Sequence, residues 1–86
     1  MIHSLLRLPD VLRKRARSRS SHYLDIQQGL FTHPVSIGAR AVAWPDYEVA
    51  ILNEARIAGK SDEEIRSLVS QLEASRKAAN LGGAEK

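Results

Sequence analysis

The residues best placed to bind a ligand form a run of positive charge near the amino terminus. Its members are Arg13, Lys14, Arg15, Arg17 and Arg19. Residues 1–22 hold six basic side chains against one acid, Asp10, whereas residues 46–86 hold eight acids and six bases. Concentrated Lys and Arg attract polyanions whatever the fold. The segregation therefore favours contact with nucleic acid, with a merely solvated basic face as the alternative.

A serine-rich segment overlaps the end of this basic run and indicates the start of a helix. Ser and Thr are favoured N-caps, and the amides at a helix start can hold phosphates while first-turn side chains reach base edges in the major groove. We therefore predict that the DNA-reading residues are Ser18, Arg19, Ser20, Ser21 and His22. The basic residues expected to contact the DNA backbone are Arg13, Lys14, Arg15 and Arg17.

Catalytic chemistry is poorly represented in the sequence. There is no cysteine, and His3, His22 and His33 stand at no metal-ligand spacing. The acids Asp62, Glu63 and Glu64 fit a first helical turn better than a calcium loop. We therefore expect no catalytic residue, no metal and no cofactor, and a protein that is not an enzyme.

The elements that must position the basic run are two short helices in tandem. Apolar residues at helical spacing, with Pro9 at the first turn, predict a helix over about residues 8–16. A second helix should begin at the serines and end at Gly29, two or three residues after the first. This is the spacing of a helix-turn-helix, although helical hairpins share it.

The rest of the chain predicts a hairpin and two further helices. Alternation over Val35–Ile37 and Val42–Trp44 predicts strands around a tip formed by Gly38, Ala39 and Arg40. A helix should follow from Pro45 to about Ala58, and a capping box of Ser61 and Glu64 opens another. Arg40 at this hairpin tip can enter the adjacent minor groove or pair with its phosphates, and the hairpin would then act as a wing.

The fold class expected is mainly α with a small β-hairpin: a winged helix-turn-helix plus a carboxy-terminal amphipathic helix. The 86 residues suit one domain, which we place over residues 1–60, followed by the helix at 61–80 and a flexible tail at 81–86. The apolar stripe of the last helix either folds back on the domain or binds a second copy of the chain. The amino terminus is too short and too interrupted for a membrane span, and the sequence contains no cysteine, so we expect a cytoplasmic protein without a membrane partner.

Several segments in this order resemble the AlpA-type prophage regulators. The match covers residues 5 to about 58, and its segments are Leu5–Leu12, Ser18–Tyr23, Gly29–Phe31, Pro34–Val35 and Gly38–Trp44. The resemblance implies a winged helix-turn-helix related to the MerR-type and excisionase DNA-binding domains. It implies that the partner is double-stranded DNA of a prophage or integrative element, and that the protein is associated with the bacterial nucleoid. The roles it implies are activation of integrase genes or an excisionase-like part in recombination. An integrase or RNA polymerase would then be a further possible partner. It assigns the recognition helix to Ser18–Tyr23 and the wing tip to Gly38–Arg40.

The sequence departs from the family pattern at the helical turn and on the second helix. The family usually carries Gly and an apolar residue where Ala16 and Arg17 stand, and apolar residues where His22 and Asp25 stand. The second helix is therefore expected to bury a thin stripe, chiefly Tyr23, Ile26 and Leu30. For Tyr23, core packing and base contact both remain open.

The rival interpretation is a protein-interaction module whose helices dock on a partner protein while the basic segment only keeps the chain in solution. RNA binding is a third possibility. It is disfavoured because the sequence lacks the aromatic platform on which single-stranded bases stack.

Overall fold

The computed structural model describes residues 3–84, with side chains described as far as residue 77. It is mainly helical with a small antiparallel sheet, as predicted. The elements in chain order are β1 (Leu5–Leu6), α1 (Leu8–Arg15), α2 (Arg19–Gln27), β2 (Val35–Ser36), β3 (Val42–Pro45), α3 (Asp46–Ile57) and α4 (Asp62–Ala84).

A three-residue turn joins α1 to α2 and gives the predicted helix-turn-helix. Helix α1 ends at Arg15 and is capped by Ala16, which adopts the left-handed conformation with φ 57° and ψ 44°. The backbone then re-enters a helix at Ser18, whose hydroxyl accepts a hydrogen bond from the amide of Ser21 at 3.2 Å. The expected N-cap is therefore confirmed.

The sheet has the order β1-β3-β2, with the hairpin of β2 and β3 forming the predicted wing. Val35 pairs with Ala43 and Ser36 with Val42. Strand β1 was not predicted, because two residues are too few to show an alternating pattern. It adds to the free edge of β3 through Leu5 opposite Pro45 and Leu6 opposite Trp44.

One apolar core joins all the helices to the central strand. The largest side chain in it, Trp44, is fully buried and donates a hydrogen bond from its indole Nε1 to the carbonyl oxygen of Thr32 at 2.8 Å. Helix α4 supplies Ile65, Val69 and Leu72 to this core. Its apolar stripe is thus folded back on the domain, which is one of the two expected arrangements.

Polar contacts also fasten α4 to the rest of the domain. The fully buried carboxylate of Glu48 in α3 accepts hydrogen bonds from the guanidinium of Arg76 at 2.6 and 2.7 Å. Arg76 also donates to the carbonyl oxygen of His33 at 2.7 Å, and Glu73 accepts the amide hydrogen of His33 at 2.7 Å. Helix α4 continues to Ala84, so residues 81–84 of the expected tail are helical, and residues 85–86 lie outside the described part.

Replacing Ala16 by glycine should stabilise the protein by about 0.5–1 kcal/mol. A left-handed conformation costs an L-residue about 1–2 kcal/mol, and the greater freedom of glycine in the unfolded chain offsets part of that gain. Urea unfolding of Ala16→Gly against the wild type measures the difference.

The matched control is Ala58→Gly. Ala58 also caps a helix, but its φ is −75°, an ordinary right-handed value. Glycine there should leave stability unchanged or lower it. Equal effects of the two substitutions would contradict the explanation from the backbone conformation of Ala16.

Candidate nucleic-acid interface

A buried ionic network holds α2 against α1. Asp25 lies on the inner face of α2 with a side chain only 5% exposed. One of its oxygens, Oδ2, accepts hydrogen bonds from Arg15 at 2.8 Å and Arg17 at 3.1 Å, and Oδ1 accepts a second from Arg17 at 2.9 Å. The end of α1, the turn and α2 are therefore joined through one carboxylate.

The network keeps its charges because they neutralise one another. Burial alone would raise the pKa of Asp25, but the hydrogen bonds from Arg15 and Arg17 outweigh it and hold that pKa below its ordinary value. Burial lowers the pKa of Arg15, yet a guanidinium stays protonated in proteins. Removing Asp25 would leave the buried charge of Arg15 uncompensated, which costs about 3–5 kcal/mol.

His22 completes the network from within the core. Its side chain is fully buried, and its ring centroid lies 5.0 Å from that of Trp44 and 5.2 Å from that of Phe31. The Nδ1 atom is 2.8 Å from a guanidinium nitrogen of Arg15. Arginine has only donors, so Nδ1 must accept and the ring is neutral with its proton on Nε2. Burial, and then the charge of Arg15, lower the pKa of His22 to about 4.

The structure therefore differs from the sequence expectation for three side chains. His22 is enclosed by aromatic rings and cannot reach a base edge. Arg15 is only 6% exposed and is occupied by Asp25, so it is not available to phosphates. Tyr23, placed in the expected buried stripe with base contact left open, is 41% exposed. Ile26 and Leu30 of that stripe are buried as expected, and they are joined by His22 and Asp25.

The remaining residues at the start of α2 have different roles. Arg19 and Ser20 are exposed, and no partner for either side chain is found among the described residues. Ser18 is exposed, but its hydroxyl caps the helix and donates to the hydroxyl of Ser21 at 3.0 Å. Ser21 is half-buried. The freely available side chains in this first turn are therefore those of Arg19 and Ser20.

The basic residues of α1 and the turn remain partly available. Arg13 is exposed and is paired with Asp10 on its own helix. Lys14 is exposed, and its backbone carbonyl oxygen accepts a hydrogen bond from Asn53 of α3 at 2.9 Å. Arg17 is 42% exposed although its guanidinium is held by Asp25.

The wing tip is exposed at Gly38, Ala39 and Arg40. Strand β3, which follows the tip, contacts α2 because Trp44 packs edge-on against His22, with the ring centroids 5.0 Å apart. One aromatic contact therefore joins the wing hairpin to the helix.

The part of the chain that the structure describes forms neither a cluster of metal ligands nor a membrane-spanning helix. Between residues 3 and 84, no three side chains of His, Asp or Glu converge as metal ligands. No helix in the same range is both long enough and apolar enough to cross a bilayer.

Acidification should destabilise the protein between about pH 6.5 and pH 4 through His22. The unfolded chain binds a proton below about pH 6.5, whereas the folded state excludes it until about pH 4. The contribution of His22 to the free energy of unfolding is therefore fully present above about pH 6.5, the pKa of histidine in the unfolded chain. About 3 kcal/mol of it is lost as the pH falls from there to about 4. Urea unfolding at a series of pH values measures the loss.

The matched variants are His22→Leu and His33→Gln. Leucine removes the buried titrating group, so the pH dependence in this window should flatten. His33 is 67% exposed, and its replacement should leave the slope intact. An unchanged slope in His22→Leu would contradict the assignment of the proton to His22.

Comparison with known proteins gives two findings. Residues 4–51 match the family described as prophage CP4-57 regulatory protein (AlpA). The chain is also 42% identical over 55 residues to the uncharacterized protein ORF88 of Enterobacteria phage P4. That alignment covers 64% of this chain and 62% of the phage protein, so the chain spans less than two thirds of that relative's length. No solved structure matches the chain significantly.

The family match covers more than half of the chain and includes α1, α2, the wing and the first half of α3. It confirms the resemblance that the sequence motifs indicated. The chain belongs to the family of prophage regulatory proteins described as prophage CP4-57 regulatory protein (AlpA).

Proposed function

We propose that the protein is a sequence-specific regulator that binds double-stranded DNA of a prophage or integrative element. The observation that carries the proposal is the charge on the solvent-exposed surface of α2. Asp25, the one acid of α2, is buried and neutralised, whereas Arg19 at the start of the helix is exposed. The accessible surface of α2 therefore carries the positive charge of Arg19, uncharged polar groups and the exposed Tyr23 and Leu24, but no acid, as a surface that meets phosphates and base edges requires.

In this proposal α2 enters the major groove and the wing contacts the neighbouring backbone or minor groove. Arg19 and Ser20 reach base edges, and the amides at the start of α2 face phosphate. Arg13, Lys14 and Arg17 contact backbone phosphates, and Arg40 does so from the wing tip. Arg15 has a different task, since it holds Asp25 and thereby orients α2.

The regulatory roles that suit such a protein are activation of integrase-type genes and excisionase-like direction of recombination. The first needs DNA binding near a promoter and contact with RNA polymerase. The second needs binding beside an attachment site, where an integrase supplies the cleavage chemistry. Neither role asks for catalytic residues in this chain, and both place it on the DNA in the cytoplasm.

DNA binding should weaken steeply with salt. With about four phosphates neutralised, log affinity should fall with log salt at a slope near −3.6, since each contact contributes about −0.9. Mobility shifts of the purified chain on the DNA flanking its own gene, with random competitor, measure the slope. Arg40→Ala should reduce it by about one contact if Arg40 meets a phosphate, and Arg19→Ala should cost about 1–3 kcal/mol if Arg19 reads a base.

The charge-matched control is Lys77→Ala, because Lys77 is exposed on α4 rather than on the proposed interface. It should bind like the wild type. A shift confined to an integrase promoter would favour the activator role, and one confined to an attachment site the excisionase-like role. The absence of any salt-sensitive shift on all fragments would contradict DNA binding and favour the protein-interaction module.

A further inference from the structure

The exposed residues of α2 form one continuous face. The buried side chains lie at positions 22, 25 and 26. The exposed side chains lie at positions separated by three or four residues, so they are neighbours on the helix surface. They are Arg19, Ser20, Tyr23, Leu24 and Gln27. This face, which we call the reading face, extends two turns beyond the serine-rich start of the helix.

The centre of the reading face is apolar. Leu24 is 50% exposed and lies outside the core cluster, and Tyr23 beside it is 41% exposed. A single exposed leucine is ordinary. Here, however, Leu24 adjoins an exposed tyrosine and lies between residues suited to DNA, namely Arg19 and Gln27.

The chemistry around this apolar pair fits the major groove better than an apolar protein partner. Arg19 supplies positive charge at one end, and the Gln27 side chain supplies an amide with both donors and an acceptor at the other. In the major groove, bidentate partners for Arg and Gln are guanine and adenine, and the apolar feature is the thymine methyl group. One duplex can therefore satisfy the whole face.

We propose that Leu24, flanked by Tyr23, determines specificity by packing against the 5-methyl group of thymine. This inference rests on the proposed function, since it requires α2 to lie in the major groove. The Tyr23 ring contacts the buried ring of His22 edge-on, with the two ring centroids 5.2 Å apart. Leu24 lies five positions after Arg19, so the two residues stand about 7.5 Å apart along the helix axis, or about two base-pair steps.

The experiment removes only the methyl group. The purified full-length chain first selects a short duplex from a random-sequence pool. Affinity is then measured for that duplex and for versions in which each thymine in turn is replaced by deoxyuridine, which keeps every hydrogen-bonding group. Burying one methyl group is worth about a fourfold change in affinity, so the wild type should bind one or two of the deoxyuridine duplexes about fourfold more weakly.

The variant Leu24→Ala should bind the thymine and deoxyuridine duplexes equally, with the salt slope of the wild type. Ile57→Ala is the matched control, because Ile57 is 84% exposed on α3 and away from the reading face. It should keep the wild-type preference for thymine.

Two results would overturn the inference while leaving DNA binding intact. One is salt-sensitive binding by the wild type that ignores every deoxyuridine substitution. The other is full discrimination by Leu24→Ala. If the chain selects no duplex and shows no salt-sensitive binding at all, the proposed function fails and this inference fails with it.

Discussion

The carboxylate of Asp25 is the constraint on which the helix-turn-helix depends. It is buried on the inner face of α2, where an unpaired charge is not tolerated, and it is neutralised by Arg15 from α1 and Arg17 from the turn. The directed hydrogen bonds of two guanidinium groups fix both distance and angle between the helices. His22 contacts Arg15 through its Nδ1 atom and packs against Trp44, so the network is also in contact with the sheet.

This arrangement changes how the basic amino terminus is interpreted. Charge counting places Arg13, Lys14, Arg15, Arg17 and Arg19 in one DNA-facing group, but the structure divides them. Arg15 is internal, and Arg17 is shared between the network and solvent. Arg19 is the one charged side chain on the accessible surface of α2. The residues that hold the helix in place are therefore different from those that are available to a ligand.

The fold was largely predictable from local signals. Ser18 as N-cap, Gly29 after α2, the alternation around the wing and the capping box at Ser61 each act through neighbouring backbone, so the sequence displays them directly. The buried polar contacts were not predictable. His22 and Asp25 resemble surface residues until their partners are known. The same holds for Glu48, whose partner Arg76 lies 28 residues away.

The candidate site was predictable in place but not in its individual side chains. The start of α2 and the wing tip are exposed where the motifs put them, but His22 is buried and Tyr23 is exposed. The partners that surround His22, namely Arg15, Phe31 and Trp44, are visible only in the structure. Ala16 shows the same limit, since its left-handed backbone is visible only in the structure.

The most direct test of the account is the DNA affinity of Asp25→Asn, corrected for the folded fraction and measured against random competitor. Asparagine keeps the size of the side chain but cannot neutralise two guanidinium groups. If the network orients α2, affinity for the selected duplex should fall at least tenfold and discrimination against random DNA should shrink. Specific affinity that stays unchanged, or rises because Arg15 and Arg17 are released, would show that the network only masks charge and does not position the helix.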